Sequence, residues 1–130
     1  MTGLCENFAV TAFVCTWDGS RERYDPRNYH RHVQETRKRW RPRYWWSTGN
    51  RRQGMAKGDR VFLLRQHSER GIVASGHVVA GDIVDGRVEI AWDHVVSIDQ
   101  RLPIEMLLAR IPSTNWNAFR SSGPGAGRRV

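Results

Sequence analysis

Residues 58–66, GDRVFLLRQ, and residues 71–81, GIVASGHVVAG, are two apolar, β-branched runs divided by the polar turn HSERG at 67–71. Runs of this length, bounded by glycine and turn residues, predict strands, and two in succession predict a hairpin. Gly76 interrupts the second run, which predicts a bulge or a close backbone approach, here around Ser75-Gly76. Downstream, residues 82–86 predict another turn, RVEIAWDHVVSI at 87–98 a further strand, and residues 103–110 a short helix. Upstream, FAVTAFVCT at 8–16 predicts a buried strand that ends in a turn at Trp17-Asp18-Gly19. Between them, residues 26–40, PRNYHRHVQETRKRW, predict a helix with Asp25 as N-cap, Pro26 at its first position and Pro42 as the stop. Tyr29, Val33, Thr36 and Trp40 recur at helical spacing, so Trp40 is expected to close the apolar face against the core. Strand, helix, then several strands is the order of an α+β domain built on a curved sheet or small open β-barrel.

Charge adds a functional direction. The chain carries 21 Lys and Arg against 13 Asp and Glu, a net charge of +8. Residues 1–65 hold 14 of the basic and 6 of the acidic groups, so the whole excess lies in the first half. Between residues 36 and 60 nine basic side chains face a single acid, Asp59, and 19 of the 21 cations are Arg. A one-signed field concentrates a polyanion, and guanidinium groups suit bidentate phosphate or guanine contacts. Two indoles, Trp45 and Trp46, stand beside this cluster, and aromatic faces next to guanidinium groups suit stacked bases. If that segment is extended, the two indoles face opposite ways, and Trp46 is the one expected in a pocket.

Other classes find little support. At 130 residues the chain fits one domain, residues 1–123, with 124–130 as a flexible tail. Cys5 and Cys15 are too few for a disulfide framework or a zinc cluster, which suits a cytoplasmic setting without cofactors. No apolar run has the length of a membrane span and no signal peptide is recognisable at the start, so no membrane association is expected. The five histidines, His30, His32, His67, His77 and His94, show no metal-ligand spacing, and no nucleophile elbow or phosphate loop is present. A hydrolase using Asp93 and His94 is the enzyme alternative; the expectation is no enzyme, no catalytic residue and no metal.

Taken in order, WSTGN at 46–50, GDRVFLLRQ, ERGIVASGHV at 69–78, the Trp92-Asp93 pair and Ser122-Gly123 after Trp116 resemble EVE domains of the PUA-like superfamily. The likeness runs from about residue 8 to residue 123 and is nearest to EVE modules that read modified cytosine beside HNH nucleases in modification-dependent restriction. It implies a PUA-like open β-pseudobarrel flanked by helices, related to SRA and YTH domains, with a base held in an aromatic pocket. Residues 124–130 leave no room for a nuclease, so a separate nuclease or effector chain is the expected protein partner.

A flipped base must recover a few kcal/mol of lost pairing and stacking, at about 1 to 3 kcal/mol per aromatic contact. Trp17 and Trp46 are the expected stacking faces. Ser47, Asn50, Asp93 and Ser122 are the expected polar readers, Asp93 as acceptor for an exocyclic amine; turn-forming roles for Ser47 and Asn50 remain open. Arg43, Arg51, Arg52 and Arg65 are the expected phosphate ligands, with a surface pair between Arg65 and Glu69 as the alternative. The partner so implied is DNA, a methylated duplex carrying 5-methylcytosine. Modified or structured RNA is the alternative partner, and a nucleoside sensor the third.

Overall fold

The computed structural model describes residues 11–19, 24–119 and 128–129. Cys5 and Ser122 lie outside them. The elements in chain order are β1 (Ala12–Asp18), α1 (Pro26–Arg37), β2 (Arg43–Ser47), β3 (Arg60–Gln66), β4 (Gly71–Val78), β5 (Arg87–Val95), β6 (Leu102–Pro103), α2 (Ile104–Arg110) and β7 (Arg128–Arg129). The strands form one mixed sheet in the order β2-β5-β4-β3-β1-β7, with β6 beside β4. The sheet curls into a half-barrel, so the α+β class and the curved sheet read from the sequence describe this chain, and the half-barrel is compatible with an open barrel. Among the described residues no helix is long and apolar enough to cross a membrane.

Alternation along the strands decides what each face carries. Phe13, Cys15 and Trp17 of β1, Val61 and Leu63 of β3, and Val88, Ile90 and Trp92 of β5 point into the main core. Phe13, Val61, Leu63, Val88, Ile90 and Trp92 have no solvent exposure, and each such aliphatic side chain contributes about 1.5 to 3 kcal/mol by leaving water. The opposite face of β1 and β3 carries Val14 and Leu64, which pack with Ile104, Leu107 and Trp116 into a smaller cluster under α2.

Two irregularities redirect side chains. The β3–β4 register shifts between Leu63 and Leu64, and the β4–β5 register shifts between Ser75 and Gly76. In the second, Ser75 pairs with His94 and Gly76 with Trp92, so Asp93 is the extra residue of a bulge in β5. Gly76 is needed there because an added Cβ would stand 2.4 Å from the Ala91 carbonyl oxygen.

Helix α1 starts as expected. The Asp25 carboxylate accepts from Arg27 N–H at 2.8 Å, and Pro26 fills the first turn. Thr36 Oγ1 ties the helix to β5, donating to the Val95 carbonyl and accepting from Val95 N–H. The far end departs from the expectation. The helix stops at Arg37, and Arg39 adopts φ 65°, which turns the chain away from the core. Trp40 is therefore 57 % exposed, with the Lys38 ammonium over its ring at 5.3 Å, and is not a core residue. The segment 43–47 is a strand, and its Trp45 and Trp46 face opposite sides, exposed and buried respectively, as an extended segment requires.

Candidate functional site

Trp17 and Trp46 come together, and Tyr24 lies between them. Tyr24 precedes the Asp25 cap, and Tyr29 is the fourth helical residue. Their rings meet at 5.3 Å, as a hydrophobic staple requires. The staple drives Tyr24 into the core, where it has no exposure. Its ring centroid lies 5.5 Å from Trp17, 5.1 Å from Trp46 and 5.3 Å from Tyr44, stacked on the last at 22°. Trp92 completes the wall against Trp46 at 6.5 Å. Trp17 and Trp46 are therefore edge-on neighbours of one central ring, not two faces around an open slot.

The polar atoms of this cluster are unevenly satisfied. Tyr24 hydroxyl hydrogen bonds to His32 Nδ1, and Tyr29 hydroxyl donates to the Val96 carbonyl. The His32 Nε2 and the indole Nε1 atoms of Trp17, Trp46 and Trp92 are buried without a hydrogen-bond partner among the described residues. The Trp92 indole faces the Tyr24 hydroxyl without completing a hydrogen bond.

Burial shifts the cluster's titratable groups toward their neutral forms. It pushes the Tyr24 hydroxyl far up, with Tyr44 and Tyr29 adding to the effect, and the Tyr29 hydroxyl up to about 12. It pushes His32 down to about 4, with Arg31 contributing. The cation of the site is Arg65, whose guanidinium lies 4.6 Å from the Trp17 ring centre. Arg65 stands beside Trp17 because β1 and β3 pair in parallel register. Its Nε donates to the Ser68 carbonyl at 3.0 Å, it pairs with Glu69 at 3.9 Å, and its side chain is 8 % exposed.

The remaining expected readers lie elsewhere. Ser47 Oγ accepts from Gly49 N–H at 3.3 Å, a turn role, and Asn50 is exposed on the same turn. Ser47 and Arg52 share a polar hollow of about 550 Å³ with Asp85 and Arg87. Arg51 lies over the Phe13 ring at 5.0 Å and donates to the Gln53 carbonyl. Asp93 sits on the bulge, with Oδ2 3.1 Å from Arg60, and Oδ1 3.3 Å from His77 and 3.6 Å from Arg41. Arg43 is exposed at the start of β2, near that group. Ser75 and Gly76 form the β4 side of the bulge pairing.

Between the sheet and α2 lies an apolar hollow of about 530 Å³, lined by Val14, Phe62, Ile72, Leu107 and Trp116 among others. Among the described residues no group of three His, Cys, Asp or Glu side chains gathers as a metal site. Comparison with models of known families, with curated proteins and with solved structures finds no match.

Tyr24 and His32 were missed in the sequence reading. The signal for Tyr24 was present: an aromatic residue immediately before an Asp-Pro cap, with a second aromatic at the fourth helical position, is the staple pattern. His32 lies one residue before Val33 on the buried side of α1, which the spacing of the apolar face contains.

Proposed function

We propose that this chain is a PUA-like, EVE-related reader of a modified base, 5-methylcytosine in DNA, that takes a flipped base into the aromatic cluster and holds the phosphates on its basic surface. One observation carries the reading: four ring nitrogens of one cluster, the indole Nε1 of Trp17, Trp46 and Trp92 and the Nε2 of His32, are buried without hydrogen-bond partners among the described residues. A buried polar nitrogen left unpaired costs about 1 to 3 kcal/mol, so purely apolar packing does not account for four together. A planar heterocycle with carbonyl and ring-nitrogen acceptors supplies both the stacking surface and the missing acceptors. The Tyr24 ring, stacked on Tyr44, marks the space such a heterocycle would take, so in this reading the base enters in exchange for Tyr24.

The test is affinity for matched methylated and plain duplexes, and for the equivalent RNA, at one salt concentration. Trp17→Phe and Trp46→Phe keep an aromatic ring and delete the unpartnered N–H. Each is expected to lose about 1 kcal/mol on the modified site while weak binding to plain DNA stays intact. Trp17→Ala and Trp46→Ala, checked for folding, are expected to lose roughly 1 to 3 kcal/mol. A buried methyl group contributes only about 0.8 kcal/mol, so the preference over plain cytosine is expected to be modest. Equal affinity for methylated and plain duplexes in the wild type sinks the reading, and tighter binding to the RNA moves it to the RNA alternative.

A further inference from the structure

The face of the sheet turned away from the aromatic cluster carries a second constellation, and its layout follows from strand register. Arg60 of β3 pairs with His77 of β4, His77 with Ala91 of β5, and Ala91 with Arg43 of β2. These four residues therefore form one row across four strands, on the side opposite Trp92 and Tyr44. Ala91 is the small residue in the row, and over it the cationic side chains on either side leave a groove of about 350 Å³.

Arg41, Arg43, Lys57 and His77 line this groove. Asp93 is the carboxylate facing them; the β5 bulge places it in contact with Arg41, Arg60 and His77 together. One carboxylate cannot neutralise that set, and Arg43 and Lys57 have no ion pair among the described residues. Lys57 is also presented on a fixed turn. The Asp59 carboxylate accepts from Ala56 N–H at 2.8 Å, Gly58 N–H donates to the Val78 carbonyl at 2.9 Å, and Gly58 adopts φ +89°. The acid of this turn is thus engaged with its own backbone. Three cations converging on a groove of this size, with their directions set by a bulge, a buttressing carboxylate and a hydrogen-bonded turn, form a receptor for an anion with several oxygens.

We propose that this groove is a clamp for the sugar–phosphate backbone of a nucleic acid, with Arg41, Arg43 and Lys57 as the phosphate ligands and Asp93 as the residue that positions Arg41. The proposal rests on the nucleic-acid reading above and assigns to it a phosphate surface that the sequence reading placed elsewhere, apart from Arg43. The edge strand β2 joins the two sites, because Arg43 looks toward the groove and the next residue, Tyr44, toward the cluster. A strand of nucleic acid passing over this edge would meet the clamp on one side and the base site on the other.

Fluorescence anisotropy with a labelled duplex, the matching single strand and the matching RNA, between 50 and 200 mM salt, tests this. The triple variant Arg41→Ala, Arg43→Ala, Lys57→Ala is compared with a control of equal charge, Arg27→Ala, Arg87→Ala, Arg110→Ala, which removes exposed arginines outside the groove. Removing one phosphate-binding cation lowers the salt slope by about 0.9 on duplex DNA. The groove variant is therefore expected to flatten the slope by about 2 to 3 and to weaken methylated and plain duplexes alike by about tenfold or more. The control is expected to keep the wild-type slope. An unchanged slope in the groove variant, or an equal loss in the control, overturns the clamp, as does a wild type that binds none of the three probes at 50 mM salt. A wild type with no methyl preference whose slope still falls in the groove variant leaves the clamp standing and removes the modified-base reading alone.

Discussion

Replacing Tyr24 with Ala separates a ring that merely fills the core from one that occupies a ligand's place. The ring has no exposure and touches Trp17, Tyr29, His32, Tyr44 and Trp46 at centroid distances of 5.1 to 5.7 Å. Truncating a buried aromatic of this kind costs about 3 to 5 kcal/mol. For a domain of this size, about 4 °C per kcal/mol puts the fall in melting temperature at roughly 12 to 20 °C. The void left is bounded by Tyr44 and by the indoles of Trp17 and Trp46, so a planar base should refill it. A ligand held at a hundred times its dissociation constant returns about 2.7 kcal/mol, or roughly 10 °C. The assay is thermal melting of Tyr24→Ala with 5-methyl-2′-deoxycytidine, 2′-deoxycytidine and adenosine, each in excess, with circular dichroism confirming the fold at low temperature. Recovery by a pyrimidine nucleoside, with tighter binding of methylated duplex than in the wild type, is the expected result. A folded variant that no nucleoside stabilises, and whose methyl preference is unchanged, refutes the exchange of Tyr24 for a base.

Two further outcomes follow from the same geometry. Trp40→Ala is expected to shift stability by no more than about 0.5 kcal/mol in a denaturant melt, because the side chain is mostly exposed; a loss of several kcal/mol would mean that it packs against the core. His32 is held neutral, its value lowered from 6.5 to about 4, so the unfolded chain binds its proton at a higher pH than the folded chain does. That contribution to stability is complete above about pH 6.5 and is lost as the pH falls toward 4, at up to about 1.4 kcal/mol per unit. Urea midpoints across that range should show a decline that is shallower in His32→Gln, and equal slopes in the two proteins would contradict it.

The strands at 60–66, 71–78 and 87–95 were legible because each is an apolar run closed by glycine or a turn, and the α+β class followed from their order. The strand at 43–47 was not, since Trp46 is its one fully buried residue and the flanking arginines read as surface. Trp40 was misplaced because helical spacing cannot register a left-handed residue, and Arg39 ends the pattern one position before it matters. For the candidate site, the convergence of Trp17 and Trp46 was expected, but not the ring that joins them. Arg65 on Trp17 depends on a parallel pairing of distant strands, and the ion pairs of Asp93 on a bulge. Neither contact has a local signature, because both depend on the register of strands distant in sequence.

The parallel pairing of β1 with β3 also bears on the order in which the molecule assembles. The β3–β4 hairpin and its neighbour β5 join residues close in sequence, whereas Ala12 must find Arg60 and Asp18 must find Gln66 across an intervening helix and strand. Closing so long a loop is entropically slow, so the three-strand meander is expected to condense first and β1 to dock late. Trp17 rides on β1, and the aromatic cluster is therefore completed only by that last docking. Loosening of β1 would dismantle the cluster while sparing the row of cations from β3 to β2, which native-state hydrogen exchange would register as faster exchange along β1 than along β4 and β5.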